Sequence, residues 1–393
     1  MRKKRVLLIW WETDHRPEYL QPFIEISDSF EFIQLIYKNK EERTTSSSPL
    51  NMIYWHDYKN AQDVLRSVKP ELIIGVTESI FSAALINASK KLKIPYYGLQ
   101  HGYTPEAISS VSVDGRKYTF NMLASYSKST LFFLRSFSVF NPRKFCSAVF
   151  FYWLYPKTVI QKLLTEHNFT WLAPDFYICF SPYSAGHYKK MYRMKEAQIK
   201  YIGILWFDKL FQNFTRLLQN KDKPAKKYYL LIDTCFANYH KTISNEQINH
   251  CYKTLSDFCE KHDAKLLVKL HPWNYTKADL LQHPNIEYVT KIDDDALHAM
   301  IAGSEGCFGF FSTLILPVLA FKPMIQIDYD GIHLKLAKEK GLTPVIDFYT
   351  FTENDIRFPE KLVVEQHKAD LNYLVYKTDG HATQRLKEIL LTG

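Results

Sequence analysis

No stretch of this chain approaches the roughly 18–20 consecutive apolar residues that a bilayer-spanning helix needs. The N-terminus, MRKKRVLLIWWETD, is basic and then apolar, but the apolar run covers only Val6–Trp11 and a glutamate follows. That run is too short for a secretory signal and reads as a first strand. Six cysteines (Cys146, Cys179, Cys235, Cys251, Cys259 and Cys307) are scattered without a C-x-x-C pair. A disulfide framework and a zinc knuckle are both disfavoured, and buried thiols in a reducing cytosol are the simplest expectation. There is no G-x-G-x-x-G, no P-loop and no low-complexity tract. One absence is local. Between Gly115 and Thr165 there is no Asp or Glu, but there are eight Lys and Arg.

What is present is globular. The 393 residues are 46% apolar and 23% charged, and the net charge is +9. A chain this long exceeds one ordinary core, so two domains are expected. Strand-like and helix-like stretches alternate from the start. RVLLIWW, EFIQLIYK, MIYW, ELIIGV (71–76) and IPYYGLQ (94–100) read as strands, with helical spacing between them. This order implies a parallel sheet with helices on both faces, and ligands bind beyond the carboxyl ends of such strands.

The pattern breaks over 115–165. LASYSKSTLFFLRSFSVF and KFCSAVFFYWLY are apolar, helix-length and flanked only by cations. One reading is a pair of core helices inserted in the first domain. The other is a face for an anionic membrane surface or an acidic, lipid-linked acceptor. Alternation resumes at FYICF (176–180) and IKYIGIL (199–205). The Lys-rich NKDKPAKK (220–227) reads as a hinge. The expected organisation is a first domain over 1–219, a second over 228–378 that repeats the scheme, and a terminal helix within 379–393.

Three places carry candidate chemistry. KLLVKLHP is a strand that stops at His271-Pro272, where the proline stiffens the turn and the imidazole can donate to a phosphate or a leaving nucleotide. GCFGFF is a strand that stops at Ser312-Thr313, read as opening a helix. Hydroxyls and free backbone N–H groups at a helix start make an anion site. Either place has an ordinary alternative, a loop histidine or a plain cap serine. The third is Gln100-His101-Gly102, in which Gly102 permits a tight turn and His101 suits a general base. Glu106 is a supporting candidate. His283-Pro284 reads as a loop before a strand, and Asp293–Asp295 as a helix cap. Asp328-Tyr329-Asp330 has the D-x-D form of a metal-held nucleotide site but lies late in the second domain, which favours a non-metal role.

The order strand–QHG, SPYS–helix–IGILWFD, VKLHP, GFFST–LAFKPMIQIDYD resembles a broad group of bacterial GT-B glycosyltransferases of surface-polysaccharide synthesis. The group includes CDP-glycerol glycerophosphotransferases and the sialyl- and Kdo-transferases with an HP motif. The resemblance covers most of the chain outside 115–165. It implies two doubly wound Rossmann-like domains facing across a cleft and a metal-independent, inverting transfer without a cofactor. His101 would be the base, and His271, Ser312 and Thr313 would hold the donor phosphate. The stretch Gly309–Thr313 lacks the acid that the glycerophosphotransferases carry before their serines, while an acidic base holds the place of His101 in the sialyltransferases. The donor is therefore open between a CMP-linked ulosonic acid, slightly favoured, and a CDP-linked polyol. A nucleotide-sugar epimerase and a non-catalytic scaffold are the rivals. The expected partners are a cytidine-nucleotide donor and a glycan or lipid-linked acceptor, with no nucleic acid. The expected location is the cytoplasm, with a peripheral site at the inner face of the membrane through 115–165.

Overall fold

The computed structural model describes residues 2–9, 17–36, 48–75, 80–100, 131–136, 172–219, 226–234, 243–271, 280–331, 333–359 and 367–392. Within them the chain forms two compact units. Described residues up to 206 join 381–392 in the first, and 207–380 form the second.

The first unit is built on seven strands: β1 (Lys4–Ile9), β2 (Phe30–Ile36), β3 (Asn51–Tyr54), β4 (Leu72–Gly75), β5 (Tyr96–Leu99), β6 (Phe176–Cys179) and β7 (Ile199–Tyr201). They lie in the order β3-β2-β1-β4-β5-β6-β7, and every pair is parallel. The run VLLI explains why β1 is central. Val6 and Leu8 enter one core with Phe23, Phe30 and Phe32, while Leu7 and Ile9 enter the other with Leu35, Val64 and Ala84. A strand covered on both faces needs this continuous apolar sequence. Helix Ala61–Val68 begins where Asn60 accepts from the Asp63 N–H. Helix Pro182–Tyr192 begins at the Ser181–Ser184 capping box, which satisfies two otherwise orphan donors.

The second unit has six strands: β8 (Tyr228–Ile232), β9 (Lys265–Lys269), β10 (Ile286–Val289), β11 (Cys307–Gly309), β12 (Met324–Asp328) and β13 (Val345–Asp347). Their order is β10-β9-β8-β11-β12-β13, again parallel throughout. This is the doubly wound arrangement, with its topological switch between β8 and β11. Leu231, Val268, Phe308, Ile325 and Ile327 build the core on one face, roofed by helix Asn245–Lys261.

The terminal helix Ala382–Thr392 belongs to the first unit. Ala382, Leu386 and Leu390 are buried with Val6, Leu8 and Ile74. Arg385 Nε donates to the Ile202 carbonyl at 2.7 Å, Lys4 Nζ to the Leu390 carbonyl at 3.0 Å, and Lys387 pairs with Asp28 at 2.9 Å.

The described piece of the basic insert is one helical segment, 131–136. Phe132 and Phe133 are buried in the core of the first unit. The Phe132 ring stands edge-on to Trp55 at 5.6 Å. Ser136 accepts from the Ala61 N–H at 2.9 Å, and its carbonyl accepts from Gln62 at 2.8 Å. These two phenylalanines are core residues, so the lipid-facing reading does not apply to them. The rest of 115–165 lies outside the described residues. Among the described residues no helix is long and apolar enough to cross a membrane. The described cysteines (Cys179, Cys251, Cys259 and Cys307) are free and buried, and burial pushes the Cys307 thiol up to about 11.

Helix Asp294–Gly303 starts where Asp293 accepts from the Ala296 N–H at 2.8 Å, so the Asp triplet is a helix cap. Against it lies helix Asp208–Gln219. Lys209 pairs with Asp295 at 3.0 Å, and Asn213 donates to His298 Nδ1 at 3.3 Å. Burial holds the His298 imidazole below its usual value, partly opposed by Asp294 and Asp295. The folded state therefore resists protonation of His298, while the unfolded chain takes the proton near the ordinary value of about 6.5. This contribution to stability is complete above about pH 6.5 and is lost as the pH falls below it. Melting curves at pH 7.5 and 5.5 are expected to show a smaller acid-induced drop for His298→Asn than for the wild type.

Candidate functional site

The carboxyl edge of the second sheet gathers the candidates. β8 runs straight into Asp233, which is 3% exposed. Its backbone N–H donates to the Lys269 carbonyl at 3.1 Å, extending the β8–β9 ladder by one step. Its side chain accepts from the Tyr252 hydroxyl at 3.0 Å, and the His271 N–H makes a long 3.5 Å approach to the other oxygen. Burial, with the Asp233 charge added, pushes the Tyr252 hydroxyl well above its ordinary value, which keeps it a donor. A buried carboxylate thus ties helix Asn245–Lys261 to the turn that carries His271. Sequence reading missed Asp233. It looked like the polar end of a strand, and its partners lie far along the chain.

His271 stands two residues past β9 and is half-buried, outside the core. Pro272 lies outside the described residues. On the other side of β8, β11 continues through Phe310, whose N–H donates to the Ile232 carbonyl at 3.2 Å. Ser312 and Thr313 follow, both half-buried. The strand order puts β9 and β11 two positions apart, roughly 10 Å between the turns at typical strand spacing. His271, Ser312 and Thr313 therefore sit on one edge and flank the switch point, where open α/β sheets hold ligands.

The helix expected at Ser312 begins later and is short. It spans Ile315–Leu319 with Leu314 as its cap. Ser312 Oγ accepts from the Leu314 N–H at 3.3 Å, and the Ser312 carbonyl accepts from Ile315. Pro317 lies in the first turn of that helix, where a proline is tolerated because the N–H it lacks would have no partner within the helix. An anion here would be met by hydroxyls and turn N–H groups, with little help from a helix dipole.

In the first unit, Gln100 follows β5 and is 1% exposed. Its N–H donates to the Ile178 carbonyl at 3.0 Å, and its side-chain oxygen accepts from the Phe180 N–H and from Ser184 Oγ, each at 2.8 Å. Gln100 is a fixed anchor at the carboxyl edge of that sheet. His101, Gly102 and Glu106 lie outside the described residues.

The D-x-D pair has local partners. Asp328 Oδ2 is 3.0 Å from His333 Nδ1, and Asp330 accepts from the Tyr349 hydroxyl at 3.1 Å. His283 accepts from the Asn285 N–H at 3.3 Å and packs its Nδ1 against Ser256 Oγ at 3.2 Å, a turn lock before β10. Among the described residues no group of three or more His, Cys, Asp or Glu is placed to hold a metal ion.

No family model matches this sequence, and no curated protein matches it. Solved structures do. The UDP-GlcNAc 2-epimerase of Methanocaldococcus jannaschii superposes with a TM-score of 0.54 at 12% identity, covering 99% of this chain and 100% of that one. The fold is GT-B. The wall teichoic acid polymerase TagF soaked with CDPG gives a TM-score of 0.54 at 12% identity, over 98% of this chain and 88% of that one. The S. aureus MnaA–UDP structure gives 0.52 at 13% identity, over 98% and 94%. At these identities the likeness shows the GT-B architecture of two Rossmann-like units, consistent with the two sheet orders above.

Proposed function

We propose that this chain is a GT-B transferase that uses a nucleotide-activated donor, cytidine-linked by preference, to build a surface glycan. The observation that carries the reading is the carboxyl edge of the second sheet. His271 and the Ser312-Thr313 turn flank the β8/β11 switch, and buried Asp233 lies against the turn of His271. In this reading His271 donates to the departing phosphate and the two hydroxyls share its charge. His101, one residue past the anchored Gln100, takes the proton of the acceptor hydroxyl as that hydroxyl displaces the nucleotide in line. Asp328 and Asp330 are engaged by His333 and Tyr349, so phosphate neutralisation is assigned to His271 and the hydroxyls. Neighbouring structures solved with CDPG or UDP-GlcNAc support a nucleotide-linked donor.

A ligand bound only by the folded state raises its melting point, by about 2.7 kcal/mol of stability at one hundred times Kd. Melting curves with CMP, CDP, UMP and UDP are expected to show a rise of several degrees, largest for the cytidine nucleotides. No shift with any of the four would sink the reading. A uridine preference would move the donor to the uridine series.

The epimerase is the second reading, favoured by the M. jannaschii neighbour. It predicts isomerised product from a nucleotide sugar incubated with the protein and no acceptor, whereas the transferase reading predicts none.

A further inference from the structure

One edge of the first sheet gathers the chain's positive surplus. All seven strands are parallel, so their amino ends share one edge, opposite the carboxyl edge at Gln100. At the amino ends of β1, β4, β5, β6 and β7, neighbours in that order, lie residues 2–5, 66–71, 89–95, 173–175 and 189–198. These segments carry thirteen Lys and Arg against three acids, a surplus greater than the +9 of the whole chain. Four strand spacings make the row about 19 Å long. The three acids are engaged. Glu71 lies 3.6 Å from Arg2 and accepts from the Arg5 N–H at 3.2 Å. Asp175 accepts from the Tyr96 N–H at 2.9 Å. Glu196 pairs with Lys189 and accepts from the Tyr201 hydroxyl at 2.6 Å. Lys69, Lys93, Arg193 and Lys195 are exposed and have no ion-pair partner among the described residues.

Helix ends explain part of this surplus. A cation in the last turn favours the helix dipole, which covers Arg66, Lys90 and Lys190. The backbone of the row needs another reason. The turns that leave helices Ala61–Val68, Ile80–Leu92 and Pro182–Tyr192 each pass through a left-handed residue, with φ of 50°, 58° and 54°. Those residues are Lys69, Lys93 and Arg193, although glycine is the unstrained choice there. In the second unit the left-handed residues before β9 and β13 are Asp263 and Gly341. The first unit thus sets a cation at a strained position three times along one edge, and the second unit does so at neither of these turns.

An apolar side chain joins the row. Lys4 Nζ donates to the Leu390 carbonyl at 3.0 Å, which brings the next residue, Leu391, to the amino end of β1, and Leu391 is 52% exposed. A soluble polyanion would match the cations alone. An anionic bilayer matches both, with a plane of phosphates over an apolar layer.

We infer that the amino edge of the first sheet is a docking surface for an anionic membrane, separate from the 115–165 segment and from the carboxyl edge. Phosphate-bearing headgroups meet Lys69, Lys93, Arg193 and Lys195, and Leu391 enters the interface. The nucleotide reading is not needed for it.

The test is sedimentation of the full chain with vesicles of phosphatidylcholine alone and of phosphatidylcholine mixed with phosphatidylglycerol. The wild type is expected to sediment with the mixed vesicles only, and less so as salt is raised. Each cation at such a surface contributes about fivefold. The triple variant Lys69→Gly, Lys93→Gly, Arg193→Gly is therefore expected to bind roughly 100-fold more weakly. Glycine suits the left-handed turns, so its melting temperature should stay close to that of the wild type. Lys335→Gln, Lys338→Gln, Lys368→Gln removes the same charge from exposed positions of the second unit and should cost less than about fivefold. Leu391→Ser should weaken vesicle binding and leave binding of soluble polyphosphate unchanged. A wild type that ignores the anionic vesicles overturns the proposal, as does an equal loss in the two triple variants. Polyphosphate bound as tightly as vesicles per phosphate, with Leu391→Ser changing neither, would make the edge a polyanion site and overturn the membrane reading. No arm contains a nucleotide, so each of these failures leaves the reading of the second sheet standing.

Discussion

Replacing His271 by alanine is expected to lower turnover on a nucleotide-activated donor by roughly 10²–10³-fold, the usual cost of removing one preorganised donor to developing charge. Folding should scarcely change. The side chain is half-buried and outside the core, and its turn is held by the β8–β9 ladder and Asp233. Initial rates and melting curves on the same preparation separate the two effects. His271→Asn, which keeps a donor on a shorter side chain, should recover part of the loss. A His271→Ala enzyme with wild-type turnover would remove this residue from the reaction.

Phe308→Ala is expected to destabilise the protein by about 3–5 kcal/mol, as large-to-small changes of a buried aromatic do. Phe308 is fully buried at the centre of β11. Its ring lies 5.1 Å from that of Phe358 and about 6 Å from those of Tyr229 and Phe258. At roughly 2–4 °C per kcal/mol for a unit of this size, the melting temperature should fall by about 6–20 °C. Phe308→Leu keeps most of the volume and should cost under about 1.5 kcal/mol. The same strand carries the Ser312 turn, so Phe308→Ala should also weaken nucleotide binding, although Phe308 lies in the core.

The central strands were readable because they are covered on both faces and so are written as apolar runs. VLLI in β1 and LIIG in β4 show this. The strand-end positions of His271, Ser312 and Thr313 were readable for the same reason, since each comes within a few residues of where such a run stops. β13 was not. Val345–Asp347 is three residues long and follows a proline, so it offers no periodicity. Helix Lys368–Val375 also escaped notice, because His367 gives it no side-chain cap. Asp233 and His333 act through partners that local pattern cannot reveal. Tyr252 lies 19 residues from Asp233 in sequence, and His333 pairs with a carboxylate that looked like half of a D-x-D. The docking of the terminal helix on the first unit depends on contacts such as Lys387–Asp28, 359 residues apart. In the basic insert, LFFLRS suits lipid and core alike. Only the rings packed on Phe132 and the hydrogen bonds at Ser136 decide for core.

The central claim is that the carboxyl edge of the second sheet holds a nucleotide's phosphate. Calorimetric titration of CDP into the wild type and into Ser312→Asp tests it most directly. Ser312 is half-buried in a turn, so the substitution adds a negative charge where the phosphate is placed without opening a cavity. The account predicts saturable binding by the wild type and a loss of more than about tenfold in Ser312→Asp, with the ligand-free melting temperature unchanged. Equal affinity in the two proteins would contradict it.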